Sequence, residues 1–174
     1  KGIKTSDMER EFDAIIFATG FDAMTGPLLR VDIRGARGKR LVEAWVDGPQ
    51  SYLGLTVHGF PNMFTINGPS SPSVLTNMIV SIEQHVDWIA DCIAWMRTNE
   101  KTRIEPERSA EIEWAEHTSQ VADMTLYPKA ESWYVGANIP GKPRAFLAYV
   151  GGAGVYREIC DQIAQSDYHG FEVH

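Results

Sequence analysis

What this sequence lacks narrows its role before any motif is read. It holds two cysteines, Cys92 and Cys160, which make neither a disulfide framework nor a CxxC pair. A reducing, cytoplasmic setting is the expectation. Positive charge is in short supply: 16 Lys and Arg stand against 23 Asp and Glu, a formal net charge of -7. Without a basic patch to release counterions from a phosphate backbone, nucleic acid is excluded as a partner. No apolar run approaches the roughly 18 residues that span a bilayer, so no membrane partner is expected. The histidines are His58, His85, His117, His169 and His174. None of them forms HxxxH or HExxH, and neither cysteine lies at ligand spacing from them, so no metal is expected. The chain also opens Lys1-Gly2-Ile3, with no methionine, signal peptide or cleavage motif, and is expected to be a piece of a longer protein.

What is present is globular in composition, with 44% hydrophobic and 22% charged residues, and long enough for one ordinary domain and part of a second. Asp13-Ala14-Ile15-Ile16-Phe17-Ala18-Thr19-Gly20 is a short apolar run closed by Thr-Gly. It predicts a strand buried on both faces of a parallel sheet. Residues 30–50 read as a polar surface loop, and 52–57 and 63–67 as two further strands. Gly68-Pro69-Ser70-Ser71-Pro72-Ser73 is too rich in turn residues for regular structure. From there Leu75, Met78, Ile79, Ile82, Val86, Ile89, Ile93 and Met96 recur at spacings of three and four. They predict one apolar face of a helix ending near Asn99, with Ser73 as its cap. Further helices are predicted over 107–126, stopped by Pro128, and over 155–164. The class is α/β.

Several motifs have an ordinary structural explanation. Gly136 to Lys142 has GxxxxGK spacing, but Pro143 stands where a phosphate loop needs Ser or Thr, and no helix follows. It reads as a turn. Gly152-Ala153-Gly154 starts like a dinucleotide fingerprint, yet Arg157 occupies the third glycine position and no ribose-binding acid follows. Glu83, Asp87 and Asp91 share one helix face and read as its solvated side, with His85 expected at the surface of the same helix. No Ser-His-Asp arrangement can be inferred from order alone. Trp133 and Tyr134 fit two readings, core packing or a lid whose indole N–H reaches a ligand.

Four stretches taken together resemble the C-terminal part of the Baeyer–Villiger monooxygenases. They are Phe17-Ala18-Thr19-Gly20-Phe21-Asp22, Gly68 to Met78 (GPSSPSVLTNM), Ser81 to Ile89 (SIEQHVDWI) and Ser132 to Arg144 (SWYVGANIPGKPR). The resemblance covers nearly the whole chain in order. ATGF is shared with other flavin monooxygenases, whereas the second and fourth stretches are far more specific.

That resemblance implies a fragment of a flavoprotein with two dinucleotide-binding domains. Residues 1–20 would be the end of the NADPH-binding domain and its return to the FAD-binding domain. Residues 21–174 would be the C-terminal part of the FAD-binding domain, with the substrate-pocket turn and a mobile C-terminal loop. The implied reaction uses FAD, NADPH and O₂ to convert an aryl or cyclic ketone into an ester or lactone. Ala18, Thr19 and Gly20 would lie at the domain return, and Met78 would touch the flavin ring. Ser73, Val74, Leu75 and Thr76 would line the ketone pocket, and Trp133 would bond the nicotinamide cofactor's ribose. The Gly/Pro/Ser-rich turn suits close approach of backbone to a flat ligand, and a flexible thioether packs well on an aromatic ring. The family's two dinucleotide fingerprints and its catalytic arginine lie upstream. No catalytic residue is therefore expected in this chain, which by itself should not turn over. Its partners would be the upstream domains of the same polypeptide, which would cover the long helix and the strand at 14–18. The chain alone should expose apolar surface there. Two alternatives stand beside this reading. One is a related N-oxygenating flavin monooxygenase, against which GPSSPSVLTNM argues. The other is an α/β binding domain without a catalytic half.

Overall fold

The longest periodic stretch supplies the frame. In the computed structural model, which describes all of residues 1–174, nine elements form, named here in chain order. They are β1 (Gly2–Lys4), β2 (Glu9–Glu11), α1 (Gly26–Leu29), α2 (Leu41–Ala44), α3 (Met78–Thr98), β3 (Ile104–Pro106), α4 (Arg108–Asp123), α5 (Ala153–Gln165) and β4 (Phe171–Val173).

The cap of α3 is Asn77, whose Oδ1 accepts the Ile79 N–H at 3.1 Å. Ser73, expected in that role, sits further upstream in a short 3₁₀ turn over Ser73–Leu75, separated from the helix by the extended backbone of Thr76. The buried face of α3 also differs from expectation. It consists of Ser81, Gln84, His85, Trp88, Cys92 and Met96, while Ile79, Ile82, Val86 and Ile93 of the apolar stripe remain exposed. The helix thus has two faces able to pack, and this chain covers the more polar one. His85, expected at the surface, is fully buried.

Helices α3, α4 and α5 enclose the main core with Leu53, Leu55, Trp114, Tyr149 and Tyr156. The Trp88 indole N–H donates to the Cys160 carbonyl at 3.0 Å, so this donor is satisfied where α3 meets α5. A three-residue antiparallel ladder, Ile104 opposite Val173, closes the C-terminus onto the α3–α4 connection. A smaller core gathers Leu41, Trp45, Val57 and Phe60. Residues 41–45 therefore leave the surface loop expected over 30–50.

Three predicted strands do not form. Over 13–20 the backbone forms no regular element and pairs with no neighbour, with Ile16 90% and Phe17 84% exposed. A sheet strand needs a neighbour to bond its edges, and within this chain none is beside it. Tyr52 to Val57 is a buried turn, because Leu53 and Gly54 adopt φ of 59° and 71°, which no strand accommodates. Residues 63–67 likewise make no strand, and 146–150 is also irregular. Their backbone groups bond instead to neighbouring turns, as where Tyr149 N–H donates to Ser71 O at 2.7 Å. The class is mixed α/β, dominated here by helix, and no helix is long and apolar enough to cross a membrane.

Candidate functional site

The Gly/Pro/Ser-rich segment folds into a strained turn that is clamped from every side. Asn67, Ser70 and Ser73 have φ of 52°, 69° and 43°, a region that costs a non-glycine residue on the order of 1 kcal/mol or more. Such strain persists only where surroundings enforce it. Ser51 Oγ donates to Pro69 O at 2.6 Å, the Trp114 indole to Ser70 O at 3.1 Å, and Ser70 N–H to Leu147 O at 3.1 Å. Gly68 lets the turn lie against the 54–55 backbone, since a Cβ there would stand 2.5 Å from Gly54 O. At the turn's entry, Asn67 N–H donates to His85 Nδ1 at 3.0 Å and Asn67 Oδ1 accepts from Ser81 Oγ at 2.9 Å.

This turn forms one wall of a cavity of about 540 Å³. Asn67, Ser73 and Val74 come from the turn, Met78 from the first turn of α3, Trp133 from the far loop, and Met24, Leu28 and Phe64 from the opposite side. Three segments distant in sequence thus converge. Of the residues expected to line a pocket, Ser73 and Val74 do so, whereas Leu75 and Thr76 do not. Met78 and Trp133 share the same cavity. Ala18, Thr19 and Gly20 lie in the exposed irregular segment outside it.

The loop carrying Trp133 is fastened down. Trp133 stacks on Tyr134 with ring centroids 4.2 Å apart. Lys142 Nζ reaches Asp22 Oδ1 at 2.6 Å and Thr25 Oγ1 at 2.8 Å. Asn138 Nδ2 donates to Phe21 O at 3.1 Å. Burial would raise the Asp22 carboxyl, but hydrogen bonds from Lys142 and Thr25 outweigh it and hold its pKa below the ordinary carboxylate value. The lysine of the GxxxxGK spacing is therefore engaged by Asp22, and residues 136–142 are a turn.

Other reactive side chains are taken up structurally. Buried Glu105 and Glu111 accept the Gly59 and His58 N–H groups at 3.0 and 2.9 Å, each also paired with an arginine. Burial pushes the Cys92 and Cys160 thiols up to about 11 and about 12, away from nucleophilic thiolate. Asn67, Met24 and Phe64 were not marked by the sequence as pocket residues. For Asn67 a signal existed, since Asn-Gly is a turn dipeptide that tolerates positive φ.

No family model matches the chain. Acetone monooxygenase (methyl acetate-forming) of Gordonia sp. (strain TY-5) is 46% identical over 172 residues, 98% of this chain and 32% of that protein. A Baeyer–Villiger monooxygenase of Pseudooceanicola batsensis is 44% identical over 94% of the chain and 30% of its own length. The chain is homologous to the Baeyer–Villiger monooxygenases. It spans about a third of the length of these relatives. Among solved structures, cyclohexanone monooxygenase from Rhodococcus sp. Phi1 bound to NADP⁺ superposes with a TM-score of 0.93 at 42% identity, over 99% of this chain and 32% of that one. OTEMO in complex with FAD and NADP gives 0.91 at 42% identity, over 99% and 32% of the two chains. A phenazine N-monooxygenase of Lysobacter antibioticus is 40% identical over 99% of the chain and 32% of its own length. Likeness to Baeyer–Villiger monooxygenases over the full chain is thus nearly matched by likeness to an N-oxygenating enzyme, a narrower margin than GPSSPSVLTNM suggested.

Proposed function

We propose that this chain is the substrate-side, C-terminal portion of an FAD- and NADPH-dependent Baeyer–Villiger monooxygenase that inserts one atom of O₂ into a ketone to give an ester or lactone. The observation that carries the reading is the convergence of the clamped turn, Met78 and Trp133 on one cavity. Residues 1–20 would be the end of an NADPH-binding domain and 21–174 the remainder of an FAD-binding domain.

The residues present suit a flat aromatic cofactor on one side of the cavity. The wall is largely apolar, with Gly68 among its lining residues, and Met78 is partly exposed. A flavin bound there supplies the oxygen-transfer chemistry. The chain's own residues do the rest of the work assigned to them here. Val74 and Ser73 set the width of the ketone side, Phe64 and Leu28 keep it apolar, and Trp133 bonds the nicotinamide cofactor's ribose while its loop limits water entry. Ala18, Thr19 and Gly20 carry the backbone back between the two domains, beside the Asn138 contact. The upstream domains are the partners, providing both dinucleotide fingerprints and the catalytic arginine. On this reading the exposed stripe Ile79, Ile82, Val86 and Ile93 packs against them.

A second reading, N-oxygenation of an aromatic heterocycle, is favoured by the phenazine N-monooxygenase relative. One experiment separates the two. The purified full-length protein is incubated with NADPH and O₂, with cyclohexanone or phenylacetone in one arm and phenazine in the other. Yellow protein forming lactone or ester supports the ketone reading; N-oxide alone supports the second. NADPH consumption without any oxygenated product contradicts both.

A further inference from the structure

Asn67 is the entry residue of the strained turn and lines the cavity, and both side chains that grip it project from one face of α3. Ser81 holds its side-chain oxygen at 2.9 Å, and His85, one helical turn on, holds its backbone N–H at 3.0 Å. Because Nδ1 accepts a backbone N–H, it carries no proton. The ring proton is then on Nε2, which faces Tyr156 Oη at 2.9 Å, while the Tyr156 hydroxyl donates to Leu53 O at 2.6 Å. The order Asn67 N–H, His85, Tyr156, Leu53 O is therefore directional and admits one imidazole tautomer. His85 and Tyr156 are both within 1% of complete burial. Desolvation lowers the His85 pKa to about 4, so the ring stays neutral and Nδ1 stays an acceptor at physiological pH.

Resting on the ketone-pocket reading above, we infer that His85 is a positioning residue for substrate: by accepting the Asn67 N–H it holds the pocket turn in its left-handed entry conformation and so sets ketone binding. It touches neither substrate nor cofactor. Remaining clamps act on Pro69, Ser70 and Ser71, further along the turn. Loss of His85 would free the cavity end of the turn while leaving its far end held. The Asn67 amide nitrogen, buried without a hydrogen-bond partner, gives the residue no third anchor.

The test uses the full-length enzyme carrying His85→Leu, His85→Gln or Tyr156→Phe. Glutamine supplies one acceptor and a donor in one side chain, the pair the neutral imidazole presents. His85→Leu is expected to raise the ketone KM about tenfold while leaving the NADPH KM within about twofold, and His85→Gln to recover most of that loss. Tyr156→Phe, which spares the Asn67 bond but releases the ring's orientation, is expected to raise the ketone KM by about threefold. Hydrogen exchange of peptides covering 64–72 should quicken in His85→Leu and not in His85→Gln, whichever substrate the enzyme oxygenates. An unchanged exchange rate, equal effects of Leu and Gln, or parallel rises in both KM values overturn the proposal. If the wild type oxygenates only phenazine, the pocket reading fails, and the KM split measured with phenazine together with the exchange data still judges His85.

Discussion

A single buried imidazole illustrates what residue-level physics adds. His85 looks like a surface group when α3 is read by its isoleucines and valines, because those residues draw the eye to a stripe that this chain leaves open. The actual inward face, Ser81, Gln84, His85, Trp88, Cys92 and Met96, is half polar, and hydropathy alone could not rank it above the apolar one. Burial has a pH consequence. The folded His85 pKa of about 4 lies below the ordinary 6.5, so between those values the unfolded chain binds a proton that the folded one refuses. Stability therefore falls as pH drops from 6.5 to 4, by on the order of 3 kcal/mol for this group, and is fully present above 6.5. Urea or thermal midpoints of wild type and His85→Gln across that range should diverge, the variant showing the shallower acid loss. Identical pH slopes would refute the assignment. Ser73, Val74, Met78 and Trp133, which line one cavity, sit in two stretches distinctive enough to be noticed in the sequence. Leu75 and Thr76, named from the same stretch, lie in and just after the 3₁₀ turn Ser73–Leu75 and do not line this cavity.

The three long helices were read well, whereas the short local elements β1, β2, α1 and α2 and the strands paired across long distances were not. α3, α4 and α5 carry sustained helical periods, although α4 ends at Asp123, ahead of the 3₁₀ turn that holds Pro128. β3 and β4 are three residues each and pair across more than sixty positions, leaving no local trace. The 13–20 strand failed for a related reason, since no segment of this chain pairs with its apolar run. The loop bearing Trp133 is joined to the 21–25 segment by Lys142 with Asp22 and Thr25, and by Asn138 with Phe21. Lys142→Met should speed proteinase K cleavage and hydrogen exchange over 133–141 several-fold in the full-length protein, with little change in α4. Unaltered exchange in that loop would show that the ion pair is not what restrains it.

Across the whole molecule, only 42 of 174 residues are buried, and Ile16, Phe17, Phe21, Ile79, Val80 and Val86 are among the large apolar side chains left exposed. That pattern fits a chain spanning about a third of its relatives, and exposed apolar surface was the expectation from sequence. Expressed alone, the chain should bind anilinonaphthalene sulfonate strongly and self-associate on size-exclusion chromatography, while the full-length protein should do neither. A monomeric, dye-silent fragment would mean that this surface needs no partner. The central claim is that the cavity between the clamped turn, Met78 and Trp133 receives the ketone, and Val74→Phe in the full-length enzyme tests it most directly. Filling that wall should raise the ketone KM about tenfold, roughly 1.4 kcal/mol of lost binding, and leave the NADPH KM within about twofold. An unchanged ketone KM would contradict the account.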